Sequence, residues 1–129
     1  MTTPLKVLYV EDEQDIQTIA RIALEKIGGF NLNVCSSGKQ AIKEVADFVP
    51  DIILLDVMMP EMDGLETYQN IREIPGCQDI PVVFMTARVQ THEIKNYLAI
   101  GAVDVIAKPF SPMTLADQVN TILSKVNGL

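Results

Sequence analysis

The sequence predicts an α/β domain, a doubly wound five-stranded parallel sheet with helices on both faces, and three observations carry that prediction. Short apolar runs alternate with stretches of helical spacing, strand then helix, five times over. The runs are continuous rather than alternating in polarity and several are rich in β-branched residues, as strands covered on both faces are. A chain of 129 residues holds one domain of this kind, whereas a closed eight-unit barrel needs about twice the length.

The first strand is read at Leu5–Val10. The helix after it carries Ile16, Ile19, Ala20, Ala23, Leu24 and Ile27, the spacing of one buried face, and Gly28-Gly29 supplies its stop. The second strand, Leu32–Cys35, leads to a helix over Lys39–Phe48. The third, Ile52–Leu55, leads to a helix over Leu65–Ile74. The fourth, Pro81–Met85, leads to a helix over Thr91–Ile100 that Gly101 closes. After the fifth strand, Val103–Ala107, the last helix sets Leu115, Val119, Ile122, Leu123 and Val126 on one face. Ser111 is its expected cap, Pro112 lies in its first turn and Asn127-Gly128 ends it. Right-handed crossovers leave few ways to wind five such units, and strand order 2-1-3-4-5 is the commonest at this length.

Composition removes several classes of function. Hydrophobic residues make up 48% and charged residues 21%, an ordinary globular balance that excludes a disordered tail, a fibre or a coiled coil. About two-thirds of the surface can be buried without staples, so disulfides are not needed. The longest aliphatic run, Ile52–Leu55, is far too short to span a bilayer, and the start lacks the length of a secretory signal. A soluble cytoplasmic protein is expected. Cys35 and Cys77 form no C-x-x-C pair and His92 is the single histidine, which excludes structural zinc on ligand count. The net charge of −7 disfavours direct binding of nucleic acid, whose affinity comes from neutralising phosphates with Lys and Arg.

In an open α/β sheet the ligand site lies beyond the carboxyl ends of the strands at the switch point, here between strands one and three. Glu11, Asp12 and Glu13 follow strand one, Asp56 follows strand three, Thr86 ends strand four, and Lys108-Pro109 follows strand five. Taken singly, each has an ordinary explanation: acids at a helix start, a turn former, a strand end, a lysine lying along apolar surface. Together, at four strand ends of a fold that places sites there, they indicate chemistry. Carboxylates brought together from adjacent strands repel, so the site either raises a pKa or holds a cation. A cation is the simpler answer. With oxygen ligands and no histidine or thiol, Mg²⁺ is preferred, with Mn²⁺ able to replace it. A divalent ion with open positions, a lysine and a hydroxyl suit a phosphoryl group, with a carboxylate of the protein as candidate acceptor.

Val10-Glu11-Asp12, Asp56-x-x-Met59-Pro60-x-Met62-Asp63-Gly64, Thr86-Ala87 and Lys108-Pro109-Phe110 stand in order on the right strand ends. This set resembles the response-regulator receiver domain, the CheY-like module of two-component signalling, over Val7 to about Val126. The resemblance implies a flavodoxin-like (βα)5 fold and one receiver domain over residues 1–129 with its core at about 5–126. CheY is itself a reference example of the 2-1-3-4-5 order, so topology and resemblance form one expectation rather than two.

The resemblance also implies roles. Asp56 accepts a phosphoryl group from the phosphohistidine of a histidine kinase or phosphotransfer protein, giving an acyl phosphate. Asp12, Asp56 and the backbone carbonyl of Met58 bind Mg²⁺, with Glu11 acting mostly through a bound water. Lys108 pairs with the phosphoryl oxygens, and Thr86 moves to hydrogen-bond one of them, which is the switching event. The Lys108-Pro109 bond is expected to be cis. The protein is then a signalling switch that promotes only its own phosphorylation and dephosphorylation, and not an enzyme. Its output partner would dock on the face of helix four, strand five and helix five around Ile94, Tyr97 and Val105.

The chain departs from the family pattern where a strand-five Tyr or Phe commonly stands three residues before the lysine, because it has Val105. A valine cannot report Thr86 by swinging a ring, so readout through Ala87–Ile94 and the start of the fourth helix is expected instead. At the rim, Met58 and Arg88 follow Asp56 and Thr86 by two residues, and Met58→Asn is expected to change the acyl-phosphate lifetime severalfold. His92 is expected to be solvated, and Met62, Met85, Cys35 and Cys77 to be packing residues.

Three rival functions have discriminating features. A pseudo-receiver that binds without being phosphorylated would not need the full set of acids, acceptor and lysine. A flavodoxin-like electron carrier needs a Ser/Thr/Gly-rich phosphate loop where Glu11-Asp12-Glu13 would repel a flavin phosphate. A haloacid-dehalogenase-type phosphatase wants a second aspartate where Met58 stands. The sequence leaves open whether the chain acts alone on a partner or is a piece of a larger regulator.

Overall fold

The computed structural model describes residues 4–127. The strands are β1 (Lys6–Val10), β2 (Asn31–Cys35), β3 (Ile52–Asp56), β4 (Val82–Thr86) and β5 (Asp104–Ala107). The helices are α1 (Gln14–Arg21), which runs on as a π-helical segment over Ile22–Ile27, α2 (Gly38–Phe48), α3 (Gly64–Arg72), α4 (Thr91–Ile100) and α5 (Leu115–Val126). All neighbouring strands pair in parallel in the order β2-β1-β3-β4-β5. The predicted fold class and strand order are those of the protein.

Side-chain alternation divides the core into two layers. Leu8, Val10, Ile53, Leu55, Val82 and Phe84 face one way, packing with Ala41, Val45, Tyr68, Ile71 and Tyr97 from α2, α3 and α4. Val7, Tyr9, Ile52, Leu54, Val83, Met85 and Ile106 face the other, packing with Ala20, Ala23, Leu24, Leu115, Val119 and Leu123. β3 and β4 are buried at every residue, which explains why they are apolar up to their last residues, Asp56 and Thr86. Phe84 lies edge-to-face with Tyr68 and Tyr97, with ring centroids 5.6 and 5.4 Å apart.

Local sequence sets several boundaries. Ser37 and Asp63 cap α2 and α3, their side chains accepting from the backbone N–H of Gln40 and Glu66. Gly101 takes φ 134° at the end of α4 beside the Tyr68 ring, where a Cβ would collide with the phenol oxygen.

The first helix departs from its predicted face. Ala20, Ala23 and Leu24 are buried, but Ile19 and Ile27 are exposed; beyond Arg21 the wider turns carry Ile27 off the buried stripe. At the other end of the chain α5 begins at Leu115 and not near Ser111. Residues 112–114 form a turn, Ser111 accepting from the backbone N–H of Met113, Thr114 and Leu115 before the helix starts. Val126 is exposed rather than part of the buried stripe. Asn127 is the C-cap of α5, while Gly128, the other half of the expected stop, lies outside the described residues.

Val49 ends α2 with φ 51° and is 60% exposed, a β-branched residue in left-handed backbone. Val49→Asn removes that strain with a side chain that tolerates the conformation. It is expected to stabilise the protein by about 0.5–1 kcal/mol in thermal denaturation.

Candidate functional site

The parity that builds the core also builds the site. Glu11, Asp56 and Lys108 each stand two residues beyond Tyr9, Leu54 and Ile106, three side chains of the same layer, so all three reach the carboxyl edge on one side. Glu11 is fully buried, Asp56 is 3% exposed and Thr86 is 1% exposed. Glu11, Asp12 and Asp56 can each offer a carboxylate oxygen, with these oxygens all within 4.8 Å of one another. Lys108 reaches across the rim to both buried acids, its Nζ lying 2.8 Å from Glu11 Oε1 and 3.3 Å from Asp56 Oδ1.

Electrostatics follow from that crowding. Burial, and then the negative charge of Glu11, push Asp56 up to about 7, although the Lys108 ammonium opposes the shift. Burial works against the charge of Lys108, but its hydrogen bond to Glu11 and the charges of Asp56 and Glu11 outweigh it and raise its pKa. Three oxygen donors around one point, two of them withdrawn from water, are the donor set of a hard divalent cation. The acidic cluster could therefore hold a metal.

The remaining predicted residues lie around this centre. Thr86 ends β4 beside it, its Oγ1 accepting from the Arg88 backbone N–H at 3.0 Å. The backbone N–H of Lys108 donates to the Thr86 carbonyl at 2.9 Å, tying β5 to β4 at the rim. Lys108-Pro109 is cis, as expected. Met58 is 66% exposed and shares a groove with Arg88, Leu65 and Tyr97, so it stands on the lip and not in the buried centre.

Other expectations concern packing. Val105 is half-buried against the layer that contains Phe84 and Tyr97, and no aromatic side chain stands in its place. His92 is exposed at the start of α4, while Met85 is buried, and Met62 lies partly buried beside Gly38. Both cysteines are free and buried; burial, aided by the charge of Glu44, pushes the Cys35 thiol up to about 12, so it stays protonated.

Sequence reading missed two contributors. Tyr9, read as a core position of strand one, donates its hydroxyl to Glu11 Oε1 at 3.3 Å. Gly64, quoted above only as part of the motif, packs directly on Asp56: a Cβ there would overlap the Asp56 carbonyl oxygen and lie 2.8 Å from Val57 Cα. The Tyr9 contact was reachable from the i, i+2 spacing of Tyr9 and Glu11 on one strand. The Gly64 contact depends on how the loop after β3 folds back.

Among the described residues no helix is long and apolar enough to cross a membrane. The sequence profile described as "Response regulator receiver domain" matches residues 7–120. The response regulator SaeR of Staphylococcus aureus is 38% identical over 120 residues, covering 92% of this chain and 50% of SaeR. This chain thus spans about half the length of the curated relatives it matches. The chemotaxis response regulator CheY4 of Vibrio cholerae superposes with a TM-score of 0.85 at 27% identity, over 93% of this chain and 99% of that one. The receiver domain of Francisella response regulator 1452 gives 0.83 at 28% identity, over 95% of this chain and 98% of the other. A buried carboxylate cluster with a lysine across it, on a 2-1-3-4-5 sheet and under a profile that spans most of the sequence, has one reading: the chain belongs to the receiver domains of two-component response regulators.

Proposed function

We propose that Asp56 is the phosphoacceptor of this receiver domain and that residues 1–129, with a core at about 5–126, act as one phosphorylation-controlled switch. The observation that carries the proposal is Lys108 lying within 3.3 Å of both Glu11 and Asp56 at the mouth of the acidic cluster. A carboxylate oxygen of Asp56 attacks the phosphorus of a phosphohistidine on a histidine kinase or phosphotransfer protein. The N–P bond breaks, its electron pair returns to the imidazole, and an acyl phosphate forms. Asp12, Asp56 and the Met58 backbone carbonyl would hold Mg²⁺ (or Mn²⁺), with Glu11 assisting through a water. When bound, the ion would supply charge neutralisation for the phosphoryl oxygens. Lys108 leaves Glu11 for the new phosphoryl oxygens. A cytoplasmic location and a downstream partner on the face of α4, β5 and α5 around Ile94, Tyr97 and Val105 belong to this reading.

The test is intact-protein mass after incubation with acetyl phosphate and Mg²⁺, beside Asp56→Asn and a chelator control. One added phosphoryl group that needs both Asp56 and Mg²⁺ is expected. No addition with the fold intact would return the chain to a binding module.

Switching starts at Thr86. Turning its side chain toward a phosphoryl oxygen displaces the Oγ1 that accepts the 3.0 Å bond from the Arg88 N–H, so phosphorylation disturbs the loop that leads into α4. Amide resonances over Ala87–Ile94, Arg88 foremost, are expected to shift on activation with beryllofluoride; an unchanged Arg88 amide would refute this route. At the lip, Met58→Asn exchanges an exposed thioether for a group that can hydrogen-bond an attacking water. The acyl phosphate is then expected to decay severalfold faster when followed by mass or phosphate release, and an unchanged decay rate would sink the idea.

A further inference from the structure

Four hydrogen bonds converge on Glu11, three of them on its carboxylate, and of the two side chains that donate to the carboxylate only Tyr9 has no role so far. Oε1 accepts from Lys108 Nζ at 2.8 Å and from the Tyr9 hydroxyl at 3.3 Å; Oε2 accepts from the Glu13 backbone N–H at 3.2 Å. The fourth contact, from Gln17 Nε2, goes to the backbone carbonyl of Glu11. Tyr9 is fully buried in the β1, α1 and α5 layer, its ring held among aliphatic side chains and its phenol aimed up the strand at the site. A tyrosine that served packing alone would have no need of a hydroxyl there, because an unbonded buried O–H is costly and a phenylalanine fills the same space.

Resting on the reading of Asp56 as phosphoacceptor, we propose that Tyr9 is a positioning residue for the phosphoryl site. Its hydroxyl holds the Glu11 carboxylate in the one orientation that serves both Lys108 and the cation. Glu11 has a long, rotatable side chain in a pocket that already contains Asp12 and Asp56. Without a fixed donor beneath it, repulsion from those acids can turn it away. With the phenol on one side and the Glu13 N–H on the other, Glu11 stands as the resting counter-ion of Lys108, and its remaining lone pairs face the cation site. Fixing an outer carboxylate in this way raises metal affinity without adding a ligand.

The test compares wild type with Tyr9→Phe, which removes one oxygen and keeps the ring. Mg²⁺ binding to the unphosphorylated protein, followed by amide shifts, is expected to weaken about tenfold in Tyr9→Phe. The Mg²⁺ needed for half-maximal phosphorylation by acetyl phosphate should rise in parallel, while the rate at saturating Mg²⁺ stays within about twofold of wild type. In a Glu11→Asp background, where the carboxylate is withdrawn by about 1.5 Å, Tyr9→Phe is expected to have no further effect. Equal Mg²⁺ dependence in wild type and Tyr9→Phe, or an undiminished effect with Asp at position 11, would overturn the proposal and leave Tyr9 a packing residue. If the wild type takes up no phosphoryl group, the phosphoacceptor reading fails, and the Mg²⁺ titrations still decide the role of Tyr9 as an anchor of Glu11.

Discussion

Asp56→Asn is expected to abolish phosphoryl uptake completely and, in the metal-free protein at pH 7, to raise stability by about 2 kcal/mol, or roughly 6 °C. Both effects have one cause. Burial and the charge of Glu11 lift Asp56 to about 7 in the folded protein, whereas its ordinary value is 3.8. The folded state therefore holds a proton that the unfolded state has released, and this group favours folding most at low pH. Its contribution is full below about pH 4 and is lost as pH rises through 7. Asparagine has the shape of the protonated acid and does not ionise, so the gain from the substitution should vanish near pH 4. Metal removes the same penalty by another route: Mg²⁺ binding should weaken as pH falls below 7 because the ion must displace that proton. Melting curves between pH 4 and 8, with and without Mg²⁺, check all of this; a gain that is independent of pH would contradict it.

Lys108→Ala is expected to act in the opposite direction, costing about 3 kcal/mol in the metal-free protein at pH 8 and slowing phosphoryl uptake on the order of a hundredfold. It strips the ammonium from two buried carboxylates that lie 2.8 and 3.3 Å away. Because Lys108 is raised above its ordinary 10.5, the wild-type contribution persists throughout the neutral range and is lost only in strong alkali. The cost of the substitution should shrink toward pH 5, where a protonated Asp56 no longer needs a counter-ion. Denaturant unfolding at the two pH values and a time course of mass gain measure the two effects; equal stability losses at pH 5 and pH 8 would contradict the assignment.

How far these groups could be read in advance depends on the length scale of the signal. The apolar runs of β3 and β4 carried the parallel sheet, because strands buried on both faces stay apolar up to the ends that enter the site, Asp56 and Thr86. The rule that ligands sit beyond the carboxyl ends of parallel strands carried the site, because Glu11, Asp56, Thr86 and Lys108 all stand at those ends. Where helix geometry changes, periodicity misleads: the wide turns over Ile22–Ile27 expose Ile27, which a regular 3.6-residue repeat would bury. Ser111-Pro112 carries the composition of a helix start, yet the chain makes a separate turn there and opens α5 at Leu115. The resting pair of Lys108 with Glu11 joins residues 97 positions apart, and nothing local encodes it.

The aromatic residues described in the core give the molecule its own optical reporter. The chain has three tyrosines and no tryptophan, so all of its intrinsic emission in the near ultraviolet is tyrosine emission. One emitter, Tyr9, hydrogen-bonds a carboxylate beneath the acidic cluster, and the other two flank Phe84 on the opposite layer. A phenol bonded to a carboxylate is quenched by proton transfer in its excited state, whereas a ring stacked in an apolar layer is not. Any event that breaks the bond between Tyr9 and Glu11 therefore brightens the emission, and the site can be followed in time without a label.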